Sequence, residues 1–163
     1  MRKIGFIGCG HMAKALIKGL KSNKSYELFG HDRNTKNLAW LEQEKIPFCS
    51  LKEICQESDI LMICVKPKDM YDLCSEMRTY IGNELKIVSV AAGITLENLK
   101  DALSGGKVYR AMPNIGAKHN LGITSIFSYE ELNEIIDIFN YLGKAIVVED
   151  EDKINLHTSG VCL

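Results

Sequence analysis

Apolar residues fall along the chain in short unbroken runs, and each run is followed by a stretch with helical spacing. Lys3–Gly8 reads as a buried strand. Met12–Ser22 follows with Ala13, Leu16, Ile17 and Leu20 at i, i+3, i+4 and i+7, one face of a helix. Glu27–His31 is a second strand, and Thr35–Glu44 is a helix stopped before Pro47. A short strand near Phe48 and a short helix at Leu51–Glu57 come next. Ile60–Val65 is apolar at every position, the pattern of a strand covered on both faces. The pattern then predicts a helix over Asp69–Tyr80, a strand over Lys86–Val90 and a helix over Leu96–Leu103 that ends at Ser104-Gly105-Gly106. Strands over Val108–Met112 and Gly122–Phe127 follow. Glu130–Leu142 is an amphipathic helix with Leu132, Ile135, Ile136 and Phe139 inward, and Ala145–Val148 is the last strand. This alternation predicts an α/β fold, a doubly wound, mostly parallel sheet.

Composition narrows the picture little. The 163 residues are 46% apolar and 25% charged, the balance of an ordinary globular domain. Ile60–Val65, the longest apolar run, is far too short to span a membrane. No signal-peptide core follows Met1-Arg2-Lys3, since Gly5, Gly8 and Gly10 interrupt it, and the chain is expected to be cytoplasmic. The six cysteines (Cys9, Cys49, Cys55, Cys64, Cys74 and Cys162) form no C-x-x-C pair and are expected to be reduced. His11, His31, His119 and His157 have no ligand spacing, so no metal site is expected. Charge is uneven. Residues 1–129 carry 18 Lys and Arg against 13 Asp and Glu, whereas residues 130–152 carry one Lys against eight acids. The acidic stretch reads as a solvated helix face, and the mildly basic remainder suits a small anionic ligand but not a nucleic acid.

The first strand runs directly into Gly8-Cys9-Gly10-His11-Met12-Ala13, a G-x-G-x-x-A sequence that opens the first helix. In this setting Gly8 permits a tight turn, Gly10 lets backbone approach a pyrophosphate, and Ala13 allows helix and strand to pack closely. The N–H groups and positive dipole end of the helix face the phosphates. A Rossmann-type dinucleotide-binding fold is the expectation. The second strand ends in Asp32 and Arg33. Asp32 lies 22 residues past Gly10, near the spacing of an acid that binds the ribose 2′-OH of NAD. Arg33 can instead pair with a 2′-phosphate, which favours NADP. Asp32 reads equally well as a cap for the helix that follows.

Four segments in order resemble the pyrroline-5-carboxylate reductases: Ile4–Ala13, Val65-Lys66-Pro67 preceded by Ser58-Asp59, Val88–Thr95, and Arg110-Ala111-Met112-Pro113-Asn114. The resemblance covers the chain to about Asp152. It implies reduction of the cyclic imine 1-pyrroline-5-carboxylate to L-proline by a nicotinamide cofactor; on the strength of Arg33, NADP(H) is favoured and NAD(H) is an alternative. It implies that Ile7, Gly8, Cys9, Gly10, His11 and Met12 hold the pyrophosphate, which agrees with the ribose positions read above for Asp32 and Arg33. Cys64, Val65, Lys66 and Pro67 would lie under the nicotinamide side, Val90, Ala91 and Ala92 along its face, and Lys66, Pro113 and Asn114 at the border of the active site. Lys66 reads alternatively as a solvent-facing loop lysine, and Asn114 as an Asx-turn residue.

The chain departs from the family pattern in places. The family usually continues Met-Pro-Asn with Thr-Pro-Ala, where this chain has Ile115-Gly116-Ala117, and His11 replaces the usual Asn, Gln or Lys. Residues 1–150 are expected to form the dinucleotide-binding domain. Residues 151–163, with Thr158-Ser159-Gly160, read as the start of a connection to a helical domain that makes the family's dimer. Self-association is expected only with that domain, and turnover by the chain alone is expected to be poor. Two other readings remain open: a related imine reductase or hydroxyacid-type dehydrogenase, and a stand-alone dinucleotide-binding module.

Overall fold

The computed structural model describes residues 1–114 and 122–155. Its elements in chain order are β1 (Arg2–Ile7), α1 (His11–Leu20), β2 (Tyr26–His31), α2 (Thr35–Gln43), α3 (Leu51–Glu57), β3 (Ile60–Ile63), α4 (Met70–Met77), β4 (Lys86–Ser89), α5 (Leu96–Leu103), β5 (Lys107–Pro113), β6 (Ile123–Phe127), α6 (Asn133–Leu142) and β7 (Lys144–Val147). Short 3₁₀ turns lie at Pro67–Asp69 and Glu151–Lys153.

The strands form one sheet in the order β2-β1-β3-β4-β5-β6-β7. The first five are parallel; β6 runs antiparallel to β5, and β7 is parallel to β6. From β1 the chain moves outward to β2 and then returns to β3 on the other side of β1. That reversal opens a crevice at the carboxyl ends of β1 and β3, where open α/β sheets bind ligands.

Neighbouring residues on each strand divide between two cores. Ile4 and Phe6 of β1, Met62 of β3, Val88 of β4 and Tyr109 of β5 pack with α1, α2 and α6. Ile7, Leu61, Ile63, Ile87 and Val108 pack with α3, α4 and α5. Both faces are therefore covered, which is why these strands show no polar alternation. Each Ile, Leu or Phe so buried contributes about 1.5–3 kcal/mol. On the first face α1 and α6 approach so closely that a Cβ on Gly19 would lie 2.4 Å from Leu142 Cδ2.

Four expectations change. The strand near Phe48 is a single bridge to Gly30, which covers the outer edge of β2. The helix expected from Asp69 begins at Met70, after Pro67 sets a tighter turn that Asp69 closes. The helix expected from Glu130 begins at Asn133. Ser128 Oγ accepts from the Glu130 N–H and the Glu131 carboxylate accepts from the Asn133 N–H, so side chains hold those amides in a turn. The acidic stretch is not wholly solvated, because Glu134 pairs with Arg2 and Lys86, and Glu151 with Arg110. Residues 151–154 pack onto the same body through Glu151 and the buried Ile154. The rest of the expected connection, residues 156–163, and the Ile115-Gly116-Ala117 segment lie outside the described residues. No helix among the described residues is long and apolar enough to cross a membrane.

Candidate functional site

Because β1 to β5 are parallel, their carboxyl ends lie on one side, and each of the four family-like segments leaves a strand there. The backbone ladder continues past the strands proper. Gly8 N–H donates to the His31 carbonyl (2.9 Å), Cys64 N–H to the Ile7 carbonyl (2.8 Å) and Val90 N–H to the Ile63 carbonyl (3.2 Å).

Two glycines in the first loop do different work. Gly8 has φ +83°, and a Cβ there would lie 2.8 Å from Val65 Cγ1 and 3.0 Å from the Val65 nitrogen. It is needed because the β1 and β3 loops touch. Gly10 has an ordinary φ of −80°, and a Cβ there would meet nothing within 4 Å. The space in front of it is open, as close approach of a pyrophosphate requires.

Gly10 is also the N-cap of α1. That helix has neither a side-chain cap nor an acidic residue in its first turn. By contrast, Asn34, Ser50 and Thr95 cap α2, α3 and α5 with their side chains, and α4 and α6, which lack such a cap, carry Asp72 and Glu134 in their first turns. The first-turn N–H groups of α1, from exposed His11 through half-buried Met12 to buried Ala13, lack intrahelical partners. They present a partial positive charge to the opening at Gly10. The donor set fits a pyrophosphate.

The Cys9 N–H is already engaged: it donates to Asp32 Oδ2 at 2.7 Å. Asp32 Oδ2 also accepts from Asn37 Nδ2 (2.7 Å), and Oδ1 from the Asn34 N–H (2.9 Å). Burial raises the Asp32 pKa, but the hydrogen bonds from Asn34, Cys9, Asn37 and Arg33 overcome this and hold the carboxyl below its ordinary value. Asp32 thus ties the glycine loop to the start of α2, whose N-cap is Asn34. The Cys9 thiol is buried, and desolvation pushes its pKa up to about 12, so it is inert packing. Burial raises the Cys64 thiol as well. All five described cysteines are free; Cys162 lies outside the described residues.

A cavity of about 390 Å³ opens beside the loop. It brings together Ile7, Gly8, Asp32, Arg33 and Val65 of the expected residues. Sequence reasoning missed its far wall, made by Leu51 of α3, Asp69, and Asp72, Leu73 and Glu76 of α4. No motif in the sequence marks those positions. The remaining expected residues sit on neighbouring turns of the same edge and do not line this cavity. Lys66 and Pro67 are exposed before α4; Val90 is half-buried, Ala91 buried and Ala92 exposed after β4. Pro113 is buried at the end of β5, and the half-buried Asn114 approaches Gly122, whose Cβ would stand 3.6 Å from Asn114 Nδ2. Among the described residues no group of three or more His, Cys, Asp or Glu could hold a metal ion.

The chain is similar to the pyrroline-5-carboxylate reductase of Escherichia coli, 34% identical over 160 residues that cover 91% of this chain and 60% of the relative. Its fold matches a pyrroline-5-carboxylate reductase from Coxiella burnetii with a TM-score of 0.87 at 24% identity, over 96% of this chain and 62% of that one. It also matches the Plasmodium falciparum pyrroline carboxylate reductase with NADP bound, with a TM-score of 0.80 at 21% identity, over 99% and 65% of the two chains. The chain thus spans 60% of the length of the Escherichia coli relative. Residues 3–93, more than half of the chain, match the family described as NADP oxidoreductase, coenzyme F420-dependent, and the chain belongs to that family.

Proposed function

We propose that this chain is the cofactor-binding part of an enzyme that reduces 1-pyrroline-5-carboxylate to L-proline, with NADPH favoured over NADH. The observation that carries the reading is the uncapped N-terminus of α1 facing the open space at Gly10, at the head of a chain 34% identical to a pyrroline-5-carboxylate reductase. When bound, the nicotinamide supplies a hydride to the imine carbon. This chain's residues bind and orient. The His11 and Met12 N–H groups take the pyrophosphate, and Arg33 lies at the ribose end. The Cys64–Pro67 and Val90–Ala92 turns lie along the nicotinamide, and Lys66, Pro113 and Asn114 border the place of the imine. Among the described residues no nucleophile–base pair stands at this edge. That suits a reaction driven by positioning and exclusion of water rather than by acid–base chemistry from this part of the protein.

The relatives are longer than the chain, and we assign the wall of the substrate-carboxylate pocket, and self-association, to residues beyond those described. The setting is the cytoplasm. The test is pyrroline-5-carboxylate-dependent oxidation of NADPH and of NADH, with proline measured as product, on the protein that carries residues 1–163. Stoichiometric proline is expected. Saturable nucleotide binding with reduction of other imines or 2-keto acids, but no proline, would overturn the substrate assignment and leave the cofactor site standing.

A further inference from the structure

We propose that Glu76, on α4, is a specificity-determining residue that sets how strongly the protein prefers a 2′-phosphorylated dinucleotide over its 2′-hydroxyl counterpart. The proposal rests on the cofactor reading above. Arg33 Nη2 lies 2.7 Å from Glu76 Oε1, so the one guanidinium at the ribose end is bridged to the opposite wall of the cavity. Among the described residues lining that cavity, Arg33 is the sole Lys or Arg and faces Asp32, Asp69, Asp72 and Glu76. Asp32 is committed to the glycine loop. Asp69 and Asp72 form no ion pair among the described residues, so the local charge is negative.

A 2′-phosphate brings nearly two negative charges to this place, whereas a 2′-hydroxyl brings none. To engage the phosphate, Arg33 must either swing its Nη2 away from Glu76 or divide its donors between the two anions. Glu76 then remains beside the phosphate as a like charge. It therefore opposes the phosphorylated nucleotide twice, by competing for the guanidinium and by repulsion, and is silent toward the hydroxyl form. Both side chains are well exposed, 76% for Arg33 and 49% for Glu76, so water and salt weaken each contribution and the effect is one of tuning. The same exposure means that the substitution leaves folding intact.

The experiment is fluorescence titration of NADPH and NADH into the wild type, Glu76→Gln, Arg33→Ala and the double variant, at low and high salt. Glu76→Gln should tighten NADPH about three- to tenfold and leave NADH within about twofold. The gain should shrink at high salt, and most of it should vanish in the Arg33→Ala background. Unchanged NADPH affinity in Glu76→Gln, or an equal shift for both nucleotides, would overturn the role of Glu76 while saturable binding kept the cofactor reading. Absence of binding by either nucleotide to the wild type would overturn both.

Discussion

At the amino edge of the sheet, Arg2 Nε lies 2.7 Å from Glu134 Oε2, Lys86 Nζ 3.1 Å from Glu134 Oε1, and Lys107 Nζ 3.2 Å from Glu84 Oε2. At the carboxyl edge, β1 ends in a glycine turn and a helix whose first N–H groups no side chain caps. The cavity at the amino edge is the larger, about 680 Å³ against 390 Å³. Size alone would put the site at the end opposite to the one proposed. The amino edge spends its charges on one another and on the first turn of α6, where Glu134 also meets the favourable end of the helix dipole. The carboxyl edge has backbone donors to spare, and Arg33 is tied to an acid across the crevice rather than buried under it. Where donors are left over, rather than where space is, decides which edge binds an anion.

The largest effect that can break this contrast lies in the two glycines. Gly8→Ala places a Cβ against Val65 at a positive φ and should cost about 2–4 kcal/mol of stability by urea denaturation. Gly10→Val fills open space instead. Its stability should fall by less than about 1 kcal/mol, while NADPH and NADH should both bind about a hundredfold or more weaker, some 3 kcal/mol. If Gly10→Val left nucleotide affinity unchanged, the open space at Gly10 would not be the phosphate cradle.

Much of this was legible from the pattern of residues. The strand–helix alternation follows from apolar runs that have to be covered on both faces. α3 and α5 appear at the predicted bounds because Ser50 and Thr95 cap them and Ser104 ends α5 in a left-handed turn. The glycine loop was visible because only glycine serves at Gly8. Three features were not visible. The antiparallel β6 depends on how the chain returns from Pro113, and strand composition does not encode direction. The Arg110–Glu151 pair joins residues distant in sequence, with Arg110 buried and its Nη1 2.9 Å from the carboxylate; no local pattern marks it. The engagement of Asp32 is the third: spacing placed the residue at the end of β2, but the direction of its oxygens depends on Cys9, Asn34 and Asn37 together.

A smaller effect sharpens the carboxyl side of the contrast. Asp32→Asn turns one acceptor oxygen into a donor facing the Cys9 N–H or its neighbours. Losing one charge-assisted bond should cost about 1.5–3 kcal/mol. The loop should loosen, and the affinity for both nucleotides should fall together, since Asp32 acts on the loop rather than on the 2′ position. The Asp32 pKa is depressed in the folded state. Its contribution is therefore full above the ordinary carboxylate range and is lost as pH falls through the depressed value. The wild type should lose stability on acidification over that window, and Asp32→Asn should show a flatter slope in urea midpoints measured against pH. An unchanged midpoint at neutral pH would mean that the carboxylate does not hold the loop.

The smallest effect belongs to the amino edge. Burial raises the Glu134 pKa, but the bonds from Arg2 and Lys86 outweigh it and leave the carboxyl below its ordinary value. Glu134 therefore also stabilises the fold above the ordinary carboxylate range, and this stabilisation disappears as pH falls through the lowered value. Lys86 is mostly buried and Arg2 half-exposed, so the network is only partly screened. Glu134→Gln keeps the shape and a hydrogen-bond acceptor for one cation. It should lower stability by about 1 kcal/mol at neutral pH, and by less at high salt. Nucleotide affinity should not move, because the length of β1 separates Glu134, paired with Arg2 at its start, from the glycine loop at its end. Thermal unfolding with and without salt, beside a nucleotide titration, reads both quantities. A fall in nucleotide affinity that matched the fall in stability would show that the two edges are not independent, and the separation of a self-paired edge from a binding edge would no longer hold.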